Sequence, residues 1–156
     1  MHIDLAGRNV LVTGASRGIG SAIAVRMAEA GARVAVHYRS GEVEARQLSD
    51  QLAGSKTFHA DLTDMDQVRG LFSAVTDAFG RIDVLVNNAG VAIRVDAADT
   101  THNWERAWET TMNINLKALT LLCRLAIDHF RSSGGGRIIN ISSRAAFRGD
   151  TKDYMD

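Results

Sequence analysis

Near the start of the chain lies Thr13-Gly14-Ala15-Ser16-Arg17-Gly18-Ile19-Gly20, whose glycine spacing suits the holding of phosphate. Gly14 can take up backbone angles that a side chain would forbid in a tight turn. Gly18 lets the backbone approach a pyrophosphate, and Gly20 lets a following helix pack closely. A helix starting near Gly18 would aim unpaired N–H groups and a positive dipole end at the phosphates. Alone, such a segment reads equally well as a mere tight turn. A strand pattern before it and a helix pattern after it select the dinucleotide reading. A P-loop is excluded, because Gly20 is followed by Ser21-Ala22 and not by Lys-Ser or Lys-Thr.

A second group of residues bears on which dinucleotide is bound. The apolar run 33–38 ends in His37-Tyr38-Arg39-Ser40, with no acid. An acid there would grip a ribose 2′-hydroxyl and repel a 2′-phosphate. Arg39 is placed to face a 2′-phosphate instead, and Arg17 in the glycine turn could reach the same group. A guanidinium can hold phosphate through two parallel hydrogen bonds. Either arginine alone reads as a solvated charge; the pair points to NADP(H).

These residues need elements to carry them. Four short runs rich in Val and Ile, 9–12, 33–38, 82–86 and 137–141, are too short for helices and read as strands. A weaker run, 56–60, sits between the second and third. Helical patterns fill the gaps. Ile19, Ile23 and Met27 recur at a spacing of four, with Gly31 as the stop. Met65, Val68, Leu71, Phe72, Val75 and Phe79 form an amphipathic stripe, with Thr63 expected to cap its start, Asp66 three residues on and Gly80 after its end. The pattern over 102–130 is long for one helix, and a break or bend is expected near 113–115. The order βαβαβαβαβ, with nearly continuous apolar strands, predicts an α/β fold: a doubly wound, Rossmann-like parallel sheet covered on both faces. Ligands then bind at the C-terminal edges of the strands. No helix is expected to cover the fifth strand.

Bulk properties fit one soluble domain of 156 residues. Basic and acidic residues balance at 18 each, which leaves no electrostatic footprint for nucleic acid or an anionic membrane surface. Cys123 is the single cysteine, so no intramolecular disulfide forms and a reducing, cytoplasmic compartment is expected. Lying within an apolar run, it reads as a buried structural thiol in preference to a nucleophile. Met1-His2-Ile3-Asp4-Leu5 lacks the basic and apolar regions of a signal peptide. The apolar stretch 116–130 is interrupted by Lys117, Arg124, Asp128 and His129, so it is not expected to span a membrane. No metal-ligand set is singled out.

The spacing Thr-Gly-x-x-x-Gly-x-Gly over 13–20 resembles the fingerprint of the short-chain dehydrogenase/reductase family. Three further blocks agree with that family in order and position: Asp61-Leu62, Asn87-Asn88-Ala89-Gly90, and Asn140-Ile141-Ser142-Ser143. The resemblance is strongest to the 3-oxoacyl-carrier-protein reductase-like branch. It implies an NADP(H)-dependent oxidoreductase acting on a small carbonyl or alcohol. It also implies a homodimer or homotetramer formed through the long helix around Trp108, Met112, Leu119 and Leu122.

By the same resemblance, Gly14, Ser16, Arg17, Gly18, Ile19, Gly20, Arg39, Asp61, Leu62, Asn88, Ala89 and Gly90 contact the cofactor. Asp61 would accept from the adenine amino group, although it could merely begin a turn. Asn87 would tie neighbouring strands together. Ser143 matches the catalytic serine that bonds the substrate oxygen, with Ser142 as its rival. Asn115 matches the asparagine that kinks the long helix and anchors a water; it or Asn113 could also simply mark a bend. The family's proton donor is a Tyr, with a Lys four residues later. Tyr154 is the only downstream tyrosine, Lys152 precedes it, and the matching lysine would fall past Asp156. The expectation is a single dinucleotide-binding domain cut before the Tyr-x-x-x-Lys motif. A non-catalytic NADP(H)-binding module is the alternative. A methyltransferase on a similar sheet is disfavoured by the asparagine and serine blocks.

Overall fold

The Val- and Ile-rich runs become one sheet in the computed structural model, which describes residues 3–143 and 145–148. Its strands are β1 (Asn9–Val12), β2 (Arg33–Tyr38), β3 (Lys56–His59), β4 (Val84–Asn87) and β5 (Arg137–Asn140), all parallel in the order β3-β2-β1-β4-β5. The chain builds outward from β1 through β2 to β3, then returns to the other side of β1 to lay down β4 and β5. The direction of winding therefore reverses between β1 and β4, and the crevice at their C-terminal ends is where such a sheet accepts ligands.

Side-chain alternation along the strands sends each face to a different set of helices. Val10, Val12, Val34, Val36 and Val86 pack with Ala24 of α1 (Gly18–Glu29) and Ala45 of α2 (Glu42–Gln51). Leu11, Ala35 and Leu85 point the other way. They meet the stripe Val68, Leu71, Phe72, Val75 and Phe79 of α3 (Met65–Phe79) and Leu122, Ala126 and Phe130 of α5 (Leu119–Ser133). A sheet buried on both faces has no room for polar residues at these positions, which is why the strands read as apolar runs.

Three expectations are corrected. The cap of α3 is Asp64, not Thr63: Asp64 Oδ1 accepts from the Asp66 and Gln67 amides at 2.8 and 3.3 Å. Thr63 lies one residue further from the helix and closes the preceding turn, where its hydroxyl and amide both donate to Asp61 Oδ1, each at 2.8 Å. An Asp64→Ala variant should therefore unfold at a lower denaturant concentration, while Thr63→Ser shifts the midpoint little. The fourth strand begins at Val84 instead of residue 82, and the Ile82 amide donates to His129 Nε2 at 3.1 Å. Beyond β5 there is also a short helix, α6 (Ala145–Arg148), where none was expected, although Ile139 and Ile141 each stay 38% exposed.

The long helical stretch breaks at the expected place. After α4 (Thr101–Met112) the backbone adopts a π-helical turn, Asn113–Ala118, before α5 resumes. Such a turn offsets the chain by a residue and is common at functional sites. Among the described residues, no helix is long and apolar enough to cross a membrane.

Candidate functional site

The glycine turn leaves β1 with Gly14 at φ 63°, a left-handed angle that suits glycine. A Cβ there would also press on the Ala89 backbone, at 3.0 Å from its Cα. Gly18 has φ 60° and nothing within 4 Å of where a Cβ would stand. Gly20 is constrained for the opposite reason: a Cβ would run into the Gly14 carbonyl and the Asn88 side-chain amide. Helix α1 starts with no side-chain cap and no acid in its first turn. Its opening N–H groups are thus left for an outside acceptor, with the dipole favouring an anion.

Thr13 and Asn88 close the crevice between β1 and β4. The Thr13 hydroxyl accepts from the Asn88 and Ala89 amides, both at 3.0 Å. Asn88 Nδ2 in turn donates to the Thr13 carbonyl at 2.9 Å and the Gly14 carbonyl at 3.2 Å. Asn88 therefore braces the turn as well as lining it. One strand further on, Asn87 Nδ2 donates to Asn140 Oδ1 at 2.9 Å, joining β4 to β5 as expected of a strand tie. Cys123 sits half-buried beside this pair. Burial pushes its thiol pKa up, against the opposing effect of the Asn87 hydrogen bond, so it is held as a thiol and not as a nucleophilic thiolate.

A cleft of about 240 Å³ opens over the turn. Gly14, Ser16 and Arg17 of the glycine turn line it together with Tyr38, Arg39 and Ser40 at the end of β2, and Leu62, Asn88, Ala89 and Gly90 complete it. The two arginines singled out by the sequence thus share one pocket. Gly18, Gly20 and Asp61 do not line it, and the Ile19 side chain is exposed. Asp61 is engaged through Oδ1 in the turn with Thr63, the plainer of its two sequence readings. Burial alone would raise its pKa. The two Thr63 hydrogen bonds and the neighbouring Arg39 outweigh that and hold the carboxyl below its ordinary range.

At the other end of the crevice, Asn115 uses both ends of its amide on one residue. Oδ1 accepts from the Val91 amide at 2.9 Å and Nδ2 donates to the Val91 carbonyl at 2.8 Å. The asparagine in the π-helical turn thereby pins the loop that leaves Gly90. Ser143 is exposed just past β5, where its Oγ accepts from the Ala145 amide at 3.2 Å.

Sequence reasoning missed His37, which is 2% exposed within β2. Its Nδ1 accepts from the Gly14 amide at 3.0 Å, and its Nε2 donates to the Ala60 carbonyl at 3.1 Å. Burial pushes its pKa down to about 4; the Ala60 bond and Asp61 oppose this, while His59 adds to it. A depressed histidine pKa stabilises the fold fully above the unfolded value, and that contribution is lost as pH falls toward 4. Between about pH 7 and pH 4.5, urea melts should show the unaltered protein losing roughly 2 kcal/mol more stability than His37→Asn. Equal losses would contradict the buried, neutral imidazole.

The family model described as short chain dehydrogenase matches residues 8–152. The chain belongs to the short-chain dehydrogenase family. A D-threitol dehydrogenase of Mycolicibacterium smegmatis is 39% identical over 145 residues, covering 91% of this chain and 55% of that protein. Hydroxynaphthalene reductase-like protein Arp2 of Metarhizium majus is 38% identical over 147 residues, covering 92% of this chain and 53% of the other. Among solved structures, a short chain dehydrogenase of Burkholderia cenocepacia in complex with NADP superposes with a TM-score of 0.82 at 34% identity, over 94% of this chain and 60% of its own. The chain spans about half the length of the curated relatives it matches. In this short-chain dehydrogenase, Lys152 and Tyr154 lie outside the described residues. Besides His37, the sequence reading also passed over Tyr38, Ser40, Val91 and Ile114, which line the cleft. The rule that ligands gather at C-terminal strand ends was the signal that could have found Tyr38 and Val91.

Proposed function

We propose that this chain is the cofactor-binding part of an NADP(H)-dependent oxidoreductase interconverting a carbonyl and an alcohol. The observation that carries the reading is a cleft lined by both Arg17 and Arg39, with no carboxylate in its lining among the described residues. A 2′-phosphate is the part of a dinucleotide that two guanidiniums would select. The residues fit the rest of the group as well. Gly14, Ser16, Gly18, Ile19 and Gly20 would offer the pyrophosphate an uncapped helix start with open space at Gly18. Asp61 would accept the adenine amino group through Oδ2, Leu62 would pack on the base, and Asn88, Ala89 and Gly90 would line the ribose side. The Burkholderia cenocepacia relative was solved with NADP, which supports the assignment.

NADP(H), when bound, carries hydride to or from the substrate carbon. Ser143 would donate to the substrate oxygen and steady the charge that develops on it. With both amide ends committed to Val91, Asn115 would hold a water through its main-chain carbonyl. We assign residues 1–156 to one dinucleotide-binding domain, with the acid/base Tyr-x-x-x-Lys pair supplied by sequence beyond it. The stacked Trp104 and Trp108 rings, 5.6 Å apart, and exposed Leu116 and Ile127 support a homodimer or homotetramer. The balanced charge and single cysteine support a cytoplasmic protein without a nucleic-acid or membrane partner. A 3-oxoacyl thioester is the first substrate to assay, beside the polyol and hydroxynaphthalene types named by the relatives.

The test is the intact mass of the natural protein, followed by an assay of NADPH oxidation with those carbonyls. A mass above that of the 156 residues, with carbonyl-dependent oxidation, is expected. A mass equal to it, with NADPH binding but no turnover, would favour a non-catalytic binding module.

A further inference from the structure

Two segments of the proposed cofactor site have no direct link along the chain: the phosphate turn after β1 and Asp61-Leu62 after β3. Strand β2 lies between β1 and β3 and can reach both. At its C-terminal end His37 does so. The Gly14 amide, which can only donate, meets Nδ1 at 3.0 Å, and the Ala60 carbonyl, which can only accept, meets Nε2 at 3.1 Å. These partners require a neutral ring with its proton on Nε2. The His37 carbonyl also accepts the Ala15 amide at 2.8 Å, so one residue holds two successive amides of the turn.

We propose that His37, as the neutral Nε2–H tautomer, is a positioning residue that sets the phosphate turn against the adenine-side segment and so fixes the spacing at which the cofactor's two ends are held. The proposal rests on the cofactor reading above. A rigid ring with an acceptor on one edge and a donor on the other transmits the position of Ala60 to Gly14, which a flexible side chain would not do. The titratable groups that act on the ring are His59 and Asp61, of opposite influence. Burial keeps the ring neutral through the neutral pH range, so the link persists there.

The two bonds can be separated by substitution. In His37→Asn the amide oxygen falls near the Nδ1 position and can keep the Gly14 bond. In His37→Gln the amide nitrogen falls near the Nε2 position, keeping Ala60 and leaving the Gly14 amide unpaired. Each variant keeps one bond and severs the link, so His37→Gln and His37→Asn are both expected to weaken NADPH binding by about tenfold. Adenosine 2′-monophosphate, which lacks the pyrophosphate, should bind all three proteins within about twofold. Unchanged NADPH binding in either variant would overturn the proposal, and so would equal losses for both ligands, which would show a general disturbance of the fold. Long-range nitrogen–proton NMR of the unaltered protein near neutral pH gives a reading free of any variant. Nε2 should carry the proton and Nδ1 should not; a protonated Nδ1 would overturn the assignment. If the unaltered protein bound neither NADPH nor adenosine 2′-monophosphate, the cofactor reading itself would fall, whatever the tautomer.

Discussion

Arg39→Asp should invert the cofactor preference, turning a protein that binds NADPH more tightly than NADH into one that favours NADH. Arg39 lines the same cleft as Arg17, and among the described residues no carboxylate lines it. If Arg39 holds the 2′-phosphate as proposed, removing the guanidinium would forfeit a charge-assisted pair and cost NADPH about ten- to a hundredfold in affinity. The new carboxylate adds repulsion toward the phosphate, and at the same position it can accept from the 2′-hydroxyl of NADH. The two effects push the affinity ratio the same way, so its total change should exceed about a hundredfold. Arg39 is exposed, and the substitution should leave the melting temperature nearly unchanged. Titrating both dinucleotides into both proteins reads the ratio directly; an unchanged ratio would remove Arg39 from the site.

The second large effect is expected at Gly20, where an added methyl has no room. Its Cβ would overlap the Gly14 carbonyl, which is backbone and part of the turn, and the Asn88 amide that braces it. Either α1 moves away from the turn or the turn opens. Overpacking of this kind costs about 1–3 kcal/mol, and a chain of this size then melts several degrees lower. Because the displaced atoms are those expected to meet the pyrophosphate, Gly20→Ala should also weaken NADPH by about tenfold or more. Gly18→Ala makes the contrast. Its Cβ meets open space, so the penalty is the left-handed backbone angle alone, about 1–2 kcal/mol. An unchanged melting temperature and unchanged NADPH affinity in Gly20→Ala would show that crowding against Gly14 is not what fixes Gly20.

The sheet was legible because its strands are short Val- and Ile-rich runs with helical stripes between them, and a parallel sheet buried on both faces leaves that pattern in the sequence. The break near Asn115 was legible because the stripe over 102–130 exceeded one ordinary helix. The cap of α3 was not. Thr63 and Asp64 can both cap, and the choice depends on the Asp61–Thr63 turn leaving Asp64 as the residue directly before the helix. His37 was invisible for a different reason. Both its partners, Gly14 and Ala60, are 23 residues away, so a histidine in an apolar run carries no local sign of them. The arginine pair sits between these cases. Each residue was noticed from its local position, but only the fold puts both on one cleft.

The measurement closest to the central claim is a calorimetric titration of NADPH and of NADH into the intact protein. The arginine cleft predicts one site per chain and NADPH bound at least about tenfold more tightly than NADH. Absence of binding, or a tighter grip on NADH, would contradict it.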